Sequence, residues 1–369
     1  MPTFPLLNLD PAILPDIFQR ICKDLSITDL FRISLCSKRM QNLVKEATKD
    51  YKIEMELWNK QGSNLLCAKK IHSTGRDSGA WKFYDQRSPE AAKSPYDDMG
   101  HWNLKETHLK LRHVTEDFTV FISNGCSGKA MWKVLEYLLT IFPSSTVKNA
   151  NVVVDNNESL MELVQSPSFQ RFQKLYVLQG MVTNQEMNLI LDNFQGQTKT
   201  KTLHMLAHPD PNFKYNKPIT IPTIHLQNGQ WFTLQNLLEI QSQKIDIMRS
   251  LLREVDFREF LFYWLKGDVL KELKSLVVQG KLYQDDKWSF EALNYTEIVE
   301  DFATTELAIN EQKYRDHGFH KTLQFEHINF EESVTLRRPS DGMLATIGKP
   351  RKTAYRQFFA FFVWHSVPY

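Results

Sequence analysis

Apolar residues in the first fifty positions recur at helical spacing in three short groups. The groups occupy residues 15–25, 26–35 and 38–47. Ser26 or Thr28 is suited to cap the second helix, and Ser37 is suited to cap the third. This pattern predicts three short helices, which together are too small to bury a sufficient core without help from the rest of the chain.

From residue 118 the pattern changes to short apolar runs that alternate with amphipathic segments. Strands are expected at 118–122, 151–154 and 175–178, and helices at 129–142, 159–163 and 185–194. Because strands and helices alternate, the pattern predicts parallel strands joined by helical crossovers.

An internal repeat lies within this region. Residues 174–194 align without a gap on residues 244–264, and each copy has the pattern strand, turn, helix. In both copies the next strand begins about thirty residues later, which is near the period of leucine-rich repeats. The repeat predicts leucine-rich-repeat-like units, and a generic α/β sandwich is the alternative.

The remaining segments complete the predicted organisation. Residues 335–347 are typical of two strands around Asp341 and Gly342, and residues 356–364 predict a last strand that is either central or covered. The region before the repeats is punctuated by Gly, Pro and Ser, so we expect a connector there with short elements and one mobile loop near 72–103. The predicted fold is α/β, with an all-α module at 1–50, a connector at 51–115, and an α/β repeat-like domain that ends in β-strands at 116–369.

The residues of the helical module resemble an F-box. The residues that carry the resemblance are Leu6 to Pro11, Ile13, Ile17, Asp29–Leu30 and Cys36–Ser37–Lys38–Arg39. The family's Leu-Pro step is stretched here to Leu9-Asp10-Pro11, and a Trp that is common late in the third helix is absent. The resemblance implies docking on a Skp-type adaptor, which links F-box proteins to a cullin scaffold.

An uncharged apolar patch of the module is expected to contact the adaptor. Its residues are Pro5, Leu6, Leu9, Ile13, Ile17, Leu30, Ile33 and Leu35. The alternative for each residue is that it packs in the core of its own chain.

A second resemblance, to the type-2 F-box-associated domain, covers residues 224–267. It is carried by Asn228, Gly229, Trp231, Leu237, Leu238, Phe260, Leu261, Trp264 and Gly267. An F-box followed by this domain is the usual order in the family. The resemblance implies that the C-terminal domain binds a target protein, whose identity the sequence does not indicate.

Geometry suggests which residues of the C-terminal domain face a target. If its strands line one sheet, alternate residues point outward. The expected outward residues are Tyr176, Leu178, His204, Leu206, Asp246, Met248 and Val277. The alternative is that the C-terminal strands cover them.

Composition limits the classes of partner and the cellular compartments that are expected for this protein. The 45 basic and 43 acidic residues leave a net charge of +2, so no broad field steers a nucleic acid to the protein. No apolar run reaches the roughly 18 residues of a membrane span. Four cysteines do not suggest a disulfide framework, and no basic segment followed by an apolar core opens the chain. We therefore expect no membrane association and a reducing compartment, the cytoplasm or the nucleus.

Motifs of catalysis or cofactor binding were sought and not found. Residues 123–132 lie between a strand and a helix, but they lack the first Gly and the Ser/Thr of a phosphate-binding loop. No paired Cys-x-x-Cys spacing and no Gly-x-Ser-x-Gly elbow occurs. We expect no catalytic residue, metal or cofactor, and a non-enzymatic substrate-recognition subunit of a ubiquitin ligase. The alternatives are an interaction scaffold without a ubiquitin-ligase role and an α/β enzyme.

Overall fold

The computed structural model divides the chain into two compact units, residues 1–176 and 177–369. It describes residues 14–60, 63–71, 78–85, 100–104, 107–114, 118–123, 127–154, 157–195, 201–267, 269–280, 311–316, 319, 325–350 and 358–365. Both units combine helices with strands, so the predicted α/β class is confirmed.

The first unit places helices beside a mixed sheet. Its helices are α1 (Leu14–Asp24), α2 (Ile27–Leu35), α3 (Lys38–Ala47), α4 (Ser127–Ile141) and α5 (Asn157–Gln165), with a 3-10 turn at Pro167–Arg171. Its strands are β1 (Ile53–Lys60), β2 (Ser63–Lys70), β3 (Ser78–Asp85), β4 (Gly100–Leu104), β5 (Thr107–Val114), β6 (Phe118–Ser123), β7 (Thr146–Val152) and β8 (Phe172–Val177). The strand order is β8-β7-β1-β2-β3-β6-β5-β4. The β1–β2 and β2–β3 pairs are antiparallel, whereas β1 pairs in parallel with β7 and β3 with β6.

The expected connector at 51–115 contains regular strands. Five strands, β1 to β5, lie within that range, and β1 and β2 form a regular antiparallel ladder from Ile53–Lys70 to Lys60–Ser63. Parts of the expected loop near 72–103 lie outside the described residues, and the rest includes strand residues. The two compact units meet after Tyr176, and the domain boundary expected at residue 116 stays a prediction.

Three short helices open the described chain, as the sequence predicts. The side chain of Ser26 accepts a hydrogen bond from the Asp29 amide at 3.1 Å and caps α2. Ser37 caps α3 in the same way through the Met40 amide, also at 3.1 Å. Thr28, the other candidate cap, is instead buried within α2. The two caps satisfy helix N-terminal donors that would otherwise lack partners.

The three helices pack on the other elements of the first unit. The Phe31 ring meets Trp81 edge to face at a centroid distance of 5.4 Å and Tyr137 at 5.8 Å. The Tyr137 hydroxyl donates to the Ser34 carbonyl at 3.0 Å, which ties α2 to α4. These contacts supply the core that forty residues could not build alone.

The second unit is built on a sheet of parallel and antiparallel strands. Its helices are α6 (Asn184–Asn193), α7 (Leu234–Glu239), α8 (Glu254–Lys266) and α9 (Glu311–Asp316), with a 3-10 turn at Phe325–His327. Its strands are β9 (Met181–Val182), β10 (Thr202–Met205), β11 (His208–Pro209), β12 (Thr223–Leu226), β13 (Lys244–Ser250), β14 (Ser275–Gly280), β15 (Ile328–Arg337), β16 (Leu344–Pro350) and β17 (Phe358–Trp364). The main strand order is β15-β16-β17-β14-β13-β12-β10, and β9 pairs with β11 separately.

The predicted parallel strands are confirmed for this unit. The pairs β10–β12, β12–β13 and β13–β14 are parallel and follow chain order, whereas β14–β17, β16–β17 and β15–β16 are antiparallel. Strand β17 is central and all seven of its residues are buried, which confirms that prediction. Both copies of the sequence repeat have a strand followed by a helix, and their leucine-rich-repeat character stays a prediction.

The predicted turn at Asp341 and Gly342 joins β15 to β16. Gly342 has a φ of +74°, a left-handed conformation that favours glycine. The Arg338 guanidinium donates to both Asp341 oxygens, at 2.9 and 2.6 Å. These hydrogen bonds are the main cause that lowers the pKa of the Asp341 carboxyl to about 2. The pair braces the turn in its charged form over the physiological pH range.

Candidate functional site

Helix α1 keeps part of its apolar surface exposed. Leu14, Phe18 and Cys22 point into the core, and burial raises the pKa of the Cys22 thiol to about 12, so that it packs as a neutral group. Ile17 is half-buried, and Ile21, one turn further along the helix, is 39% exposed. Residues four positions apart share a helix face, so Ile17 and Ile21 form one outward apolar strip.

Of the expected adaptor residues in helix α2, one is buried in the core and two keep accessible surface. Ile33 and Leu35 are half-buried and keep accessible surface. Leu30 is fully buried beside Phe31, so the expectation that its side chain is available to a partner is wrong. The side of α2 that carries Leu30 and Phe31 faces the core of its own unit, which removes both from the solvent.

The other expected adaptor residues are Pro5, Leu6, Leu9 and Ile13, and they lie outside the described residues. Ile21 was not among the expected docking residues, although it shares the helical spacing of Ile17. That spacing was the signal that could have found it.

The expected target-facing residues differ widely in exposure. Tyr176, the last residue of the first unit, is half-buried. In the second unit, Leu178, His204, Leu206 and Met248 are half-buried as well. These five residues keep surface that a partner can contact.

One row of paired residues crosses the second unit's sheet. His204 pairs with His225, His225 with Asp246, and Asp246 with Val277. Residues paired in this way lie on the same side of a sheet. We call the side that carries this row the front face.

The two histidines and the aspartate of this row interact directly. The imidazole rings of His204 and His225 stack with a centroid distance of 4.2 Å and an interplanar angle of 9°. His225 Nδ1 lies 2.7 Å from Asp246 Oδ2. Asp246 is only 1% exposed, so the expectation that it faces a target is wrong. Its carboxylate lies beneath the surface and fixes the orientation of the His225 ring.

Val277 is also corrected from a surface residue to a core residue. It packs in one cluster with Tyr314, Phe319, Phe362 and Trp364, among others. Tyr314 belongs to α9, so this helix and Phe319 cover the front face at β14, where β17 continues the same sheet. The open part of the front face is therefore its β10–β12 side.

Asn228 joins the carboxyl ends of three strands. Its side-chain amide donates to the carbonyls of Leu206 and Ala207, at 3.1 and 3.3 Å, just after β10. Its Oδ1 accepts from Arg249 Nη1 at 2.9 Å, at the end of β13. Gly229 follows, and a Cβ at this position would overlap with Ile247 Cγ2. The sequence predicted only a turn here. In the structure, the Asn228 side chain links neighbouring strands, and Gly229 is required because a larger residue would not fit.

Most residues of the second resemblance are core residues. Trp264 meets Phe361 edge to face at 5.1 Å, and Phe260 meets the same ring at 5.3 Å. Gly267 ends α8 with a φ of +82°, and an added Cβ would lie 2.6 Å from Ser340 Oγ. These residues contribute to the packing of the domain.

Among the described residues, no three His, Cys, Asp or Glu side chains are grouped as a metal site would require. None of the helices in that part of the chain has both the length and the apolar character needed to cross a bilayer.

Comparison with known proteins connects both units to families. Residues 12–50, which include α1, α2 and α3, match the F-box domain family. Residues 212–278, which run from before β12 to β14, match the F-box associated family. No solved structure matches the chain significantly.

A curated relative was also found. The E3 ubiquitin-protein ligase hecw-1 of Caenorhabditis elegans is 23% identical over 309 residues, covering 76% of this chain and 23% of that protein. The match thus spans about a quarter of the relative's length, whereas the two family matches coincide with the helical module and with the central strands of the second unit. The chain therefore combines a helical segment that matches the F-box domain family with a later segment that matches the F-box associated family.

Proposed function

We propose that the protein is the substrate-recognition subunit of a Skp–cullin–F-box type ubiquitin ligase. The observation that carries the proposal is the F-box match over α1 to α3, together with the apolar surface that Ile17, Ile21, Ile33 and Leu35 keep exposed. The Skp-type adaptor would bind this surface, and the F-box-associated domain would bind a target protein.

The physical role of such a subunit is proximity. Tethering a target beside a ubiquitin-conjugating enzyme raises the effective concentration of the target's lysines without any new chemistry in the tether. An F-box joined to an F-box-associated domain is typical of non-enzymatic adaptor proteins. We propose that the protein acts in the cytoplasm or the nucleus, where its free cysteines would stay reduced.

The way in which α2 is packed limits how the adaptor can approach. Because Phe31 and Leu30 face the core of the first unit, only the opposite sides of the helices are accessible. A few apolar residues at the centre of an interface carry most of its binding energy. We assign that role to Ile17 and Ile21, with Ile33 and Leu35 as further contacts.

Affinity capture of the tagged full-length chain tests the proposal. We expect a Skp-type adaptor and a cullin to co-elute with the wild-type protein, and both to be lost from the variant with Ile17→Asp and Ile21→Asp. Two buried carboxylates at the interface would cost far more than the lost apolar contacts. Val255→Asp, at an exposed apolar residue of the second unit, is the matched control and should retain both partners.

An interaction scaffold without a ubiquitin-ligase role is the second candidate. The packing of the F-box helices on their own unit favours it, since a module can cap a larger fold without binding an adaptor. Recovery of other partners without adaptor or cullin in the same capture would support the scaffold and contradict the ligase subunit.

A further inference from the structure

The carboxyl ends of β10, β12 and β13 lie at one edge of the second unit's sheet, because these strands are parallel neighbours. Open parallel sheets typically bind ligands at this edge, where the loops after the strands meet. Arg249 is the penultimate residue of β13, Leu251 is the first residue after this strand, and Val255 lies in the first turn of α8. Met181 reaches the same edge, because β9 pairs with the segment that follows β10. We call Met181, Arg249, Leu251 and Val255 the carboxyl-edge rim.

Three of the four rim residues are exposed apolar side chains. Met181 is 60% exposed, Leu251 is 53% exposed and Val255 is 54% exposed. Single exposed apolar residues are common and need no explanation, but their concentration at one edge is typical of an interaction site.

Arg249 adds a positioned positive charge to the rim. Its backbone has a φ of +55°, which is uncommon for a residue with a Cβ and is often found at functional sites. Its Nη1 donates to Asn228 Oδ1, and Asn228 is itself held by two carbonyls at the end of β10. Among the described residues, no acidic side chain pairs with Arg249. The guanidinium is therefore anchored at one nitrogen and keeps further N–H donors for an incoming acceptor.

The charged side chains next to the rim are paired with one another. Arg253 Nε lies 3.8 Å from Asp256 Oδ2, and Arg258 Nη2 lies 3.0 Å from Glu254 Oε1. A guanidinium fork matches the geometry of a carboxylate, which can accept two parallel N–H donors.

We propose that the carboxyl-edge rim binds a short peptide segment of the target in which a Glu or Asp side chain stands beside large apolar side chains. The carboxylate would contact Arg249, and the apolar side chains would cover Leu251, Val255 and Met181. This inference rests on the proposed function, since it assigns the target-binding role of the second unit to this edge.

Selection of random displayed peptides on the full-length chain tests the inference. We expect the enriched peptides to carry Glu or Asp within a few positions of Leu, Ile, Phe or Met. Arg249→Asn should weaken their binding by about tenfold or more. Asn adopts the left-handed backbone more readily than Arg does, so this variant keeps the fold at that position. Leu251→Ser should weaken binding to a similar degree.

Arg258→Gln is the matched control, because it removes one exposed positive charge from the same region, outside the rim. It should leave peptide binding unchanged. Thermal unfolding of each variant identifies any variant that fails to fold. If Arg249→Asn does not fold, Leu251→Ser still tests the rim.

Several results would overturn the inference. The selection could enrich no peptides, or only peptides without acidic residues. The Arg249→Asn variant could bind the enriched peptides as tightly as the wild-type chain does. Binding could also require phosphorylated Ser in place of Glu. A dimer of the chain that Leu251→Ser dissociates would show that a second copy covers the rim. Adaptor binding is measured on the same preparation, so a chain that binds adaptor but no acidic peptide contradicts the rim alone and leaves the proposed function standing.

Discussion

Phe31→Ala should lower the free energy of unfolding of the first unit by about 3–5 kcal/mol, the usual cost of truncating a buried Phe. The Phe31 ring is 1% exposed and makes edge-to-face contacts with Trp81 and Tyr137. Its loss leaves a cavity where α2 meets both the sheet and α4. Urea denaturation of the full-length chain, followed by circular dichroism, measures the change.

Ile21→Ala is the control for this experiment. Ile21 lies on the outer side of α1 and is 39% exposed, so its truncation should change the stability of the first unit by less than about 1 kcal/mol. If both substitutions had equal, small effects on stability, the helices would not pack on the first unit as described.

His225→Ala should destabilise the second unit by about 3 kcal/mol, because it leaves the buried Asp246 carboxylate without its partner. The His225 Nδ1–Asp246 Oδ2 distance is 2.7 Å, and the Asp246 side chain is 1% exposed. Denaturation by urea again measures the change in the free energy of unfolding.

The double variant with His225→Leu and Asp246→Leu distinguishes the effect of an unpaired Asp246 carboxylate from the effect of lost side-chain packing. Replacing both partners by apolar residues removes the buried charge, so the double variant should be more stable than His225→Ala. A second unit that tolerates His225→Ala without loss of stability would contradict the described His225–Asp246 pair.

The sequence predicted the elements that local signals define. The caps Ser26 and Ser37 marked the starts of α2 and α3, and the left-handed Gly342 marked the turn between β15 and β16. These signals act within a few residues of the chain, so no tertiary contact was needed to interpret them.

The strands of residues 51–115 were missed although one local signal was present. In β1, Ile53, Met55 and Leu57 are buried and alternate with Glu54 and Glu56, the period of a half-buried strand. The frequent Gly, Pro and Ser residues after β1 obscured that alternation. The parallel partner of β1 is β7, about ninety residues further along the chain, and local patterns carry no information about such a pairing.

The candidate sites depended on tertiary contacts that no spacing reveals. Alternation along β14 predicted an outward Val277, but Tyr314 and Phe319 cover it from later in the chain. Helical spacing placed Leu30 near Ile33, but it could not indicate which side of α2 would face β3 and α4. Periodicity therefore identifies faces, and only the fold decides which face remains exposed.

The central claim is that the outer side of α1 and α2 binds a Skp-type adaptor. Calorimetric titration of the purified full-length chain with purified adaptor tests it most directly, using Ile21→Glu and, as a control, Val255→Glu in the second unit. We expect Ile21→Glu to weaken adaptor binding by about tenfold or more and Val255→Glu to bind as the wild type does. Adaptor binding of undiminished affinity by Ile21→Glu, or no binding by the wild-type chain, would contradict the account.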